Sequence, residues 1–558
     1  SVLTDCINLG TVTIRRFNAC LADAIAMEEA GGIAGTNQGN MTYCANFGMV
    51  SCDGSKAGGL TGFSSSGNKR GSIVGCYNAA TVYAADKTKC GALVGENYKI
   101  MNPTEVQSDC VYDSQYSGCL ACDNADAGFA APLSTADLIS GEAYLPAAGW
   151  NFKAGLYPVN KALAGNAAVQ AACASYVLMP EDQTVVDFRR GTLGSAMPLT
   201  ATVSGTSVIS VSGNDIAADA SATDIAKAAV TLKAGDYSRL VSLQYLPNVL
   251  TGEGTAQSPF LVASAADFLK VSDYMLRGGT SFRGKYFRQT ADLDFSGLTF
   301  AMAGTDGNFF AGKYDGQNHS VANITTTAAA NTEYVSTGLF GGIAQGGTVA
   351  NLELKGFNMQ SNLNGGLLAG TVGGSVSNVS TSADCKIEGV KSTVLFTSAK
   401  GENIGGICGI VTASARIENC VNRASVTGYK YVGGITGNSD YVGTAYIGSC
   451  SNYGAVLAMS PKETQPPTGG GQPTTTTVEV YAGGIAGQLA GTADKCVNHG
   501  SVLADPCKVA GGIVGQLYIR ARVQDCENRG QVRARDYTAG GIAVSYTHLR
   551  AHETGAYL

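Results

Sequence analysis

A short phrase recurs along this chain: two glycines, an aliphatic residue, one spacer and another glycine. It reads Gly405-Gly406-Ile407-Cys408-Gly409 and returns at Gly433-Gly434-Ile435, Gly483-Gly484-Ile485, Gly511-Gly512-Ile513 and Gly540-Gly541-Ile542. The intervals are 28, 50, 28 and 29 residues. A fixed period of this size means that one unit cannot bury its own apolar side and must stack on the next. The phrase therefore predicts a solenoid.

A second phrase precedes each of the first. It is Cys-x-Asn followed by an alternating strand: Cys420 and Asn422, Cys450 and Asn452, Cys496 and Asn498, Cys526 and Asn528. Gly or Ala stands two places after each Asn and Val two places further on, as in Gly454 with Val456. Alternation of apolar and polar residues is the strand period. Asn and Gly tolerate positive φ, so we assign them to tight bends. Short strands and bends at this period predict about three strands per coil, a parallel β-helix. The repeat-structural residues are then Gly406, Ile407, Gly434, Ile435, Gly484, Ile485, Gly512 and Ile513, with the four Cys and four Asn. The same grammar opens the chain, where Cys6-Ile7-Asn8 precedes Gly31-Gly32-Ile33 and Cys44-Ala45-Asn46 precedes Gly58-Gly59-Leu60.

The expected class is all-β: two right-handed parallel β-helix segments separated by a small β-sandwich. Residues 1–165 form the first segment, closed by a C-terminal cap over 133–163. The lone Trp150 packs in that cap, with sugar stacking as the competing reading. Residues 166–249 read as an immunoglobulin-like sandwich, with strand patterns at Val185–Phe188, Leu199–Val203, Val208–Val211 and Val241–Tyr245 and turn signals at Gly205 and Gly213-Asn214-Asp215. Residues 250–543 form the second β-helix. Its start carries a helix capped by Ser264, with Phe268, Val271 and Met275 on one face. The 50-residue interval holds an excursion over 461–477, rich in Pro, Thr and Gly, which should project as a flexible loop.

The chain has 558 residues but only 14% charged, with 74 glycines and net charge −6. No basic run or stretch of 18 apolar residues occurs, so nucleic acid and a membrane span are not expected. The chain begins with Ser inside a repeat, which suggests a fragment without its signal region. Residues 544–558 break the repeat and look like one reading frame of a transposon adapter from sequencing libraries. His548 and His552 fall inside that segment and receive no functional weight.

Seventeen cysteines are present, most at repeat positions. One cysteine per coil would stack about 4.8 Å from the next. We expect buried free thiols acting as small apolar residues; disulfides between coils are the alternative. No zinc spacing accompanies Cys119 and Cys122. Asp292 and Asp294 share a strand face, as a hydrolase pair would, at about 6–7 Å. Asp315 before Gly316 is a candidate calcium ligand and the only metal candidate. No catalytic residue, cofactor-binding residue or cofactor is assigned. His319 and His499 are the remaining histidines, and His499 lies in a repeat turn.

The order of Gly252–Phe260, Tyr286–Asp294, Phe310–His319, Gly338–Gly341 and Gly347–Leu354, followed by the glycine phrases, resembles GLUG-motif proteins. These are large surface proteins common in Bacteroides-type gut anaerobes. The resemblance spans 251–543 well and 1–165 less fully. It implies export, a β-helix and an adhesin-like place at the outer cell surface, without implying a reaction. The expected function is a monomeric structural stalk or adhesin that binds host or microbial glycans or proteins. The alternatives are the non-catalytic part of a larger surface carbohydrate-active enzyme or protease, or an active β-helix polysaccharide lyase or hydrolase.

Overall fold

A computed structural model describes residues 1–15, 28–53, 56–64, 71–84, 89–97, 107–123, 128–179, 190–194, 199–219, 221–247, 250–305, 308–327, 336–390, 402–412, 414–439, 444–459, 462–465, 474–477, 480–505, 509–518, 521–535 and 538–546. The fold is all-β, dominated by parallel sheets built from short strands. The chain divides into two units, Ser1–Asn248 and Val249–Leu558.

In the second unit each coil from Arg416 onward passes through five short strands. One coil is Arg416–Glu418, Val421–Asn422, Ser425–Gly428, Tyr431–Gly433 and Thr436–Ser439. Equivalent strands pair in parallel with strict register: Val426 with Val456, Val456 with Val502, and Val502 with Val532. The glycine phrase keeps step, with Gly433 opposite Gly483 and Gly483 opposite Gly511. Five strands replace the three expected, because one side of the coil is broken by a bend ahead of the cysteine and another is split at the glycine pair into Tyr431–Gly433 and Thr436–Ser439. The residue before each repeat Cys has positive φ: Asn419 at 54°, Ser449 at 52°, Lys495 at 54° and Asp525 at 51°. In earlier coils the same side is one strand, Thr348–Lys355 or Ser375–Thr381, with the bend inside it at Asn351 or Asn378.

The interior is a stack of aliphatic columns, with Ile407, Ile435, Ile485 and Ile513 wholly buried. The helix Ala265–Leu276 lies at the start of this unit. Ser264 caps it by accepting from the Asp267 amide at 3.2 Å. Its buried Phe268 meets the edges of Phe295, Tyr314 and Phe340, so an aromatic plug closes this end of the core. The excursion contains a two-stranded antiparallel hairpin, Lys462–Gln465 against Thr474–Thr477, where a flexible loop was expected. The threonine run is β-branched and suits a strand, and the two strands pair with each other rather than with a coil. The last strand, Ala543–Tyr546, pairs with Val514–Leu517. His548, His552 and the rest of 547–558 lie outside the described residues.

The first unit repeats the coil plan. Ile7–Asn8, Ala45–Asn46 and Tyr77–Asn78 pair in parallel, as do Val12–Ile14, Val50–Cys52 and Val82–Ala84. Residues 133–178 then fold back over the outer face of the Asn8–Asn46–Asn78 sheet, with Leu138, Trp150 and Tyr157 in one core with Phe47 and Tyr77. Trp150 is buried and donates through Nε1 to the Gly75 carbonyl at 2.8 Å. The helix Ala167–Ala174, capped by Asn166, belongs to this core and precedes the sandwich. Two antiparallel sheets follow. One contains Tyr176–Leu178 and Ile209–Ser212, the other Ala226–Ala234 and Tyr237–Tyr245. Val177, Ile216, Val230 and Val241 join them in a shared core. The expected strand at Val185–Phe188 lies outside the described residues.

Candidate functional site

The repeat residues sit inside the solenoid and hold its coils together. A Cβ on Gly406 would stand 2.3 Å from the Gly434 carbonyl oxygen and 2.4 Å from Asn422 Cγ. Gly434 meets Gly484 and Asn452 in the same way, and Gly484 meets Gly512 and Asn498. The second glycine stands at the expected bend, as Gly434 does between Tyr431–Gly433 and Thr436–Ser439, and it is required there by close approach rather than by positive φ. A further bend in each coil, the one with positive φ, lies at the non-glycine residue ahead of the cysteine.

The Asn residues end a short strand and close the bend that follows it. Their amides form a buried ladder: Asn422 Nδ2 donates to Asn452 Oδ1 at 2.9 Å, Asn452 to Asn498 at 2.8 Å and Asn498 to Asn528 at 2.8 Å. Each amide also spans its own turn, as Asn452 Nδ2 donates to the Gly454 carbonyl at 3.0 Å and Asn452 Oδ1 accepts from the Gly454 amide at 3.2 Å. A buried amide is tolerated because all its groups are paired. Asn8, Asn46 and Asn78 repeat this ladder in the first unit.

The cysteines occupy core slots. Leu352 pairs with Val379 in the column that Cys420, Cys450, Cys496 and Cys526 continue. Each thiol donates to the carbonyl two residues back, across the bend: Cys420 to Glu418 at 3.3 Å, Cys450 to Gly448 at 3.3 Å, Cys496 to Asp494 at 3.4 Å and Cys526 to Gln524 at 3.2 Å. Cys6, Cys44, Cys76 and Cys110 do the same. All the described cysteines are free thiols. The Cys450 thiol is pushed well above its ordinary range by hydrogen bonding with Cys420 and Cys496 and by burial.

The acidic candidates are tied down. Asp315 Oδ1 accepts from Asn351 Nδ2 at 2.9 Å and from the Gln317 amide at 3.0 Å. Partial burial works to raise its pKa, but these bonds outweigh it and hold the carboxylate below its usual range. Among the described residues no group of three His, Cys, Asp or Glu side chains is arranged to hold a metal. Asp292 accepts from the Ser320 amide at 2.7 Å and stands 3.4 Å from His319 Nδ1. Asp294 accepts from Asn323 at 2.7 Å and from the Ser296 amide at 2.9 Å. The Ser320 amide holds Asp292 low, and the Asn323 amide holds Asp294 low.

The structure draws attention to a row that the sequence reading passed over. The residue after each ladder Asn points outward: Arg423, Tyr453, His499 and Arg529. Backbone bonds of 2.7 Å from Tyr453 to Asn422, His499 to Asn452 and Arg529 to Asn498 fix the row in register. The Tyr453 and His499 rings lie flat on each other, 4.3 Å apart and 3° from parallel. The Arg423 guanidinium stands 5.5 Å from the Tyr453 ring centre. Arg529 makes two 2.7 Å bonds to Glu527. Tyr453 is 51% exposed. Beside this row, Arg416 covers Tyr446 at 4.4 Å, and the Tyr446 hydroxyl donates to Asp494 at 2.8 Å. Aligning the four Cys-x-Asn phrases by position would have shown the row.

No family model matches this chain. It is 31% identical over 182 residues to Halomucin of Haloquadratum walsbyi, a match spanning 30% of this chain and 2% of that protein. Among solved structures, it is similar to a putative immunoglobulin A1 protease from Bacteroides ovatus, with TM-score 0.38 and 20% identity over 53% of this chain and 86% of that one. Among the described residues no helix is long and apolar enough to cross a membrane.

Proposed function

We propose that this chain belongs to an exported cell-surface repeat protein, a stalk and adhesin that binds host or microbial glycans or proteins through its lateral coil faces. The observation that carries this reading is the Arg423–Tyr453–His499–Arg529 row. The ladder glycines, asparagines and cysteines are consumed inside the coils, whereas the side chains of this row face outward. Arg and Tyr are the residues enriched where proteins bind partners. The partial match to Halomucin and the GLUG-like order of motifs support the surface setting. The test is to apply the full chain to glycan and protein arrays, with parallel assays for sugar and peptide release. Specific capture without turnover is expected. Turnover by this chain, or capture of nothing, would overturn the reading.

A further inference from the structure

The first unit buries a cation whose hydrogen bonding is incomplete. Arg239 stands on the sandwich strand Tyr237–Tyr245 and is only 2% exposed. Its guanidinium carbon lies 5.3 Å from the Tyr116 ring centre, 5.5 Å from that of Tyr157 and 5.9 Å from that of Phe47. Aromatic rings at this range attract the cation, but they accept no ordinary hydrogen bond from its edge. Nη1 donates to the Ser175 carbonyl at 2.6 Å. Nε and Nη2 are buried and have no partner. Together these two nitrogens form the side of the guanidinium fork that can grip an acceptor at two points.

The one carboxylate acting on this charge is engaged elsewhere. Asp113 lies within electrostatic reach of Arg239. Its Oδ2 accepts from the Tyr157 hydroxyl at 2.7 Å and from the Thr135 hydroxyl at 2.8 Å, and its Oδ1 accepts from the Gln115 amide at 3.0 Å. The open edge of Arg239 is therefore left without an acceptor. A buried charge in that condition is costly unless something else meets it.

A third unmet group stands on the same inward face. Tyr237 is two residues before Arg239 on the strand, and both are buried while Ser238 between them is exposed. The Tyr237 hydroxyl is buried without a partner. Burial pushes it up to about 12 against the opposing influence of the Arg239 charge, so it keeps its proton at neutral pH. Three orphaned groups on one face can all donate: Nε–H, Nη2–H and O–H. A water there would accept two bonds, would need acceptors for its own hydrogens and would leave the charge at this edge unmet. A small anion accepts from all three and supplies the missing charge. Tyr116 and Tyr157 are wholly buried beside Arg239, and that enclosure favours an ion close to a water molecule in size.

We propose that the core joining the cap to the sandwich holds one monovalent anion of the halide class, gripped by Arg239 Nε and Nη2 and by the Tyr237 hydroxyl. The ion fastens the sandwich strand from within, independently of any binding at the outer surface. The test is hydrogen exchange resolved by peptide on the full chain, in sodium chloride or bromide and in sodium gluconate at matched ionic strength. Gluconate is too large for an enclosed ion position. Exchange over 155–178 and 226–245 should slow as halide rises, by about tenfold where halide stands at ten times its dissociation constant. The second unit should not respond. Arg239→Lys keeps the charge without the two-point edge and should lose most of the slowing. Tyr237→Phe removes a single hydroxyl and keeps the ring, so it should fold and should weaken halide affinity about tenfold or more. Equal exchange in halide and gluconate would overturn the proposal and leave a water at this position. An equal halide effect in both units would mark a general salt effect and would overturn it as well. Full wild-type slowing in Arg239→Lys would overturn the site; should that variant fail to fold, full slowing in Tyr237→Phe would do so.

Discussion

Replacing Gly484 with alanine tests how the coils are held apart. The added Cβ would sit 2.1 Å from the Gly512 carbonyl oxygen and 2.3 Å from Asn498 Cγ. Neither neighbour is the free end of a flexible side chain. The first is backbone of the next coil, and the second is locked in the amide ladder by Asn452 and Asn528. Overpacking alone costs about 1–3 kcal/mol. Displacing Asn498 adds the loss of ladder bonds at about 1–3 kcal/mol for each buried group left unpaired. We therefore expect Gly484→Ala to destabilise the second unit by about 3–6 kcal/mol. Gly541, at the same motif position, has nothing within 4 Å, so Gly541→Ala should stay within about 0.5 kcal/mol of wild type. Because the chain has two units, hydrogen exchange resolved by peptide is the right assay, read over residues 431–518. Loss of protection there in Gly484→Ala, with the first unit unchanged, is the expected result. Wild-type protection would refute the close-approach argument.

Three further outcomes follow from the same geometry. Asn452→Leu strands the Gly454 amide and carbonyl together with the facing amides of Asn422 and Asn498, so a loss of about 3 kcal/mol or more is expected by denaturant titration of the second unit. Cys450→Val should cost no more than about 1.5 kcal/mol, because Val379 already fills this column and what is lost is the thiol's weak bonding to the Gly448 and Ile417 carbonyls and to the Cys420 and Cys496 thiols; the same titration reads it. In the first unit, burial raises the Asp113 carboxyl from 3.8 to about 6, against the hydrogen bonds from Tyr157 and Thr135 and the nearby Arg239 charge. A raised acid favours folding when protonated, so this contribution is present below about pH 4 and is lost as pH rises through about 6, at most about 3 kcal/mol in all. The stability difference between wild type and Asp113→Asn, measured across that window, should change with this sign; a flat difference would contradict it.

The sequence made the coil period legible because stacking repeats the same contact at every rung. Gly484, Asn498 and Ile485 each meet their counterparts one coil away, so selection writes them at one interval. The helix Ala265–Leu276 was legible because Ser264 and the Phe268–Val271–Met275 face act locally. The strand count was not, since the bends fall on Asn419, Ser449, Lys495 and Asp525, which share no side-chain type. The helix Ala167–Ala174 escaped notice because its alanine-rich stretch carries little amphipathic pattern and owes its place to the cap core. The outward row was missed for a related reason. Arg423, Tyr453, His499 and Arg529 differ from coil to coil, and only their register with the Asn ladder makes them one surface.

That register is the central claim, and a paired-cysteine cross-link measures it directly. Tyr453 and His499 are separated by the 461–477 excursion yet should occupy adjacent rungs with rings 4.3 Å apart. Tyr453→Cys with His499→Cys should close a disulfide on mild oxidation, located by peptide mass mapping, since neighbouring strands place the two Cα atoms about 4.8 Å apart. Tyr453→Cys with Arg529→Cys, two rungs apart, should not close. Efficient cross-linking of the first pair alone is what the stacked-coil account predicts. Failure of the first pair, or closure of the second, would contradict it.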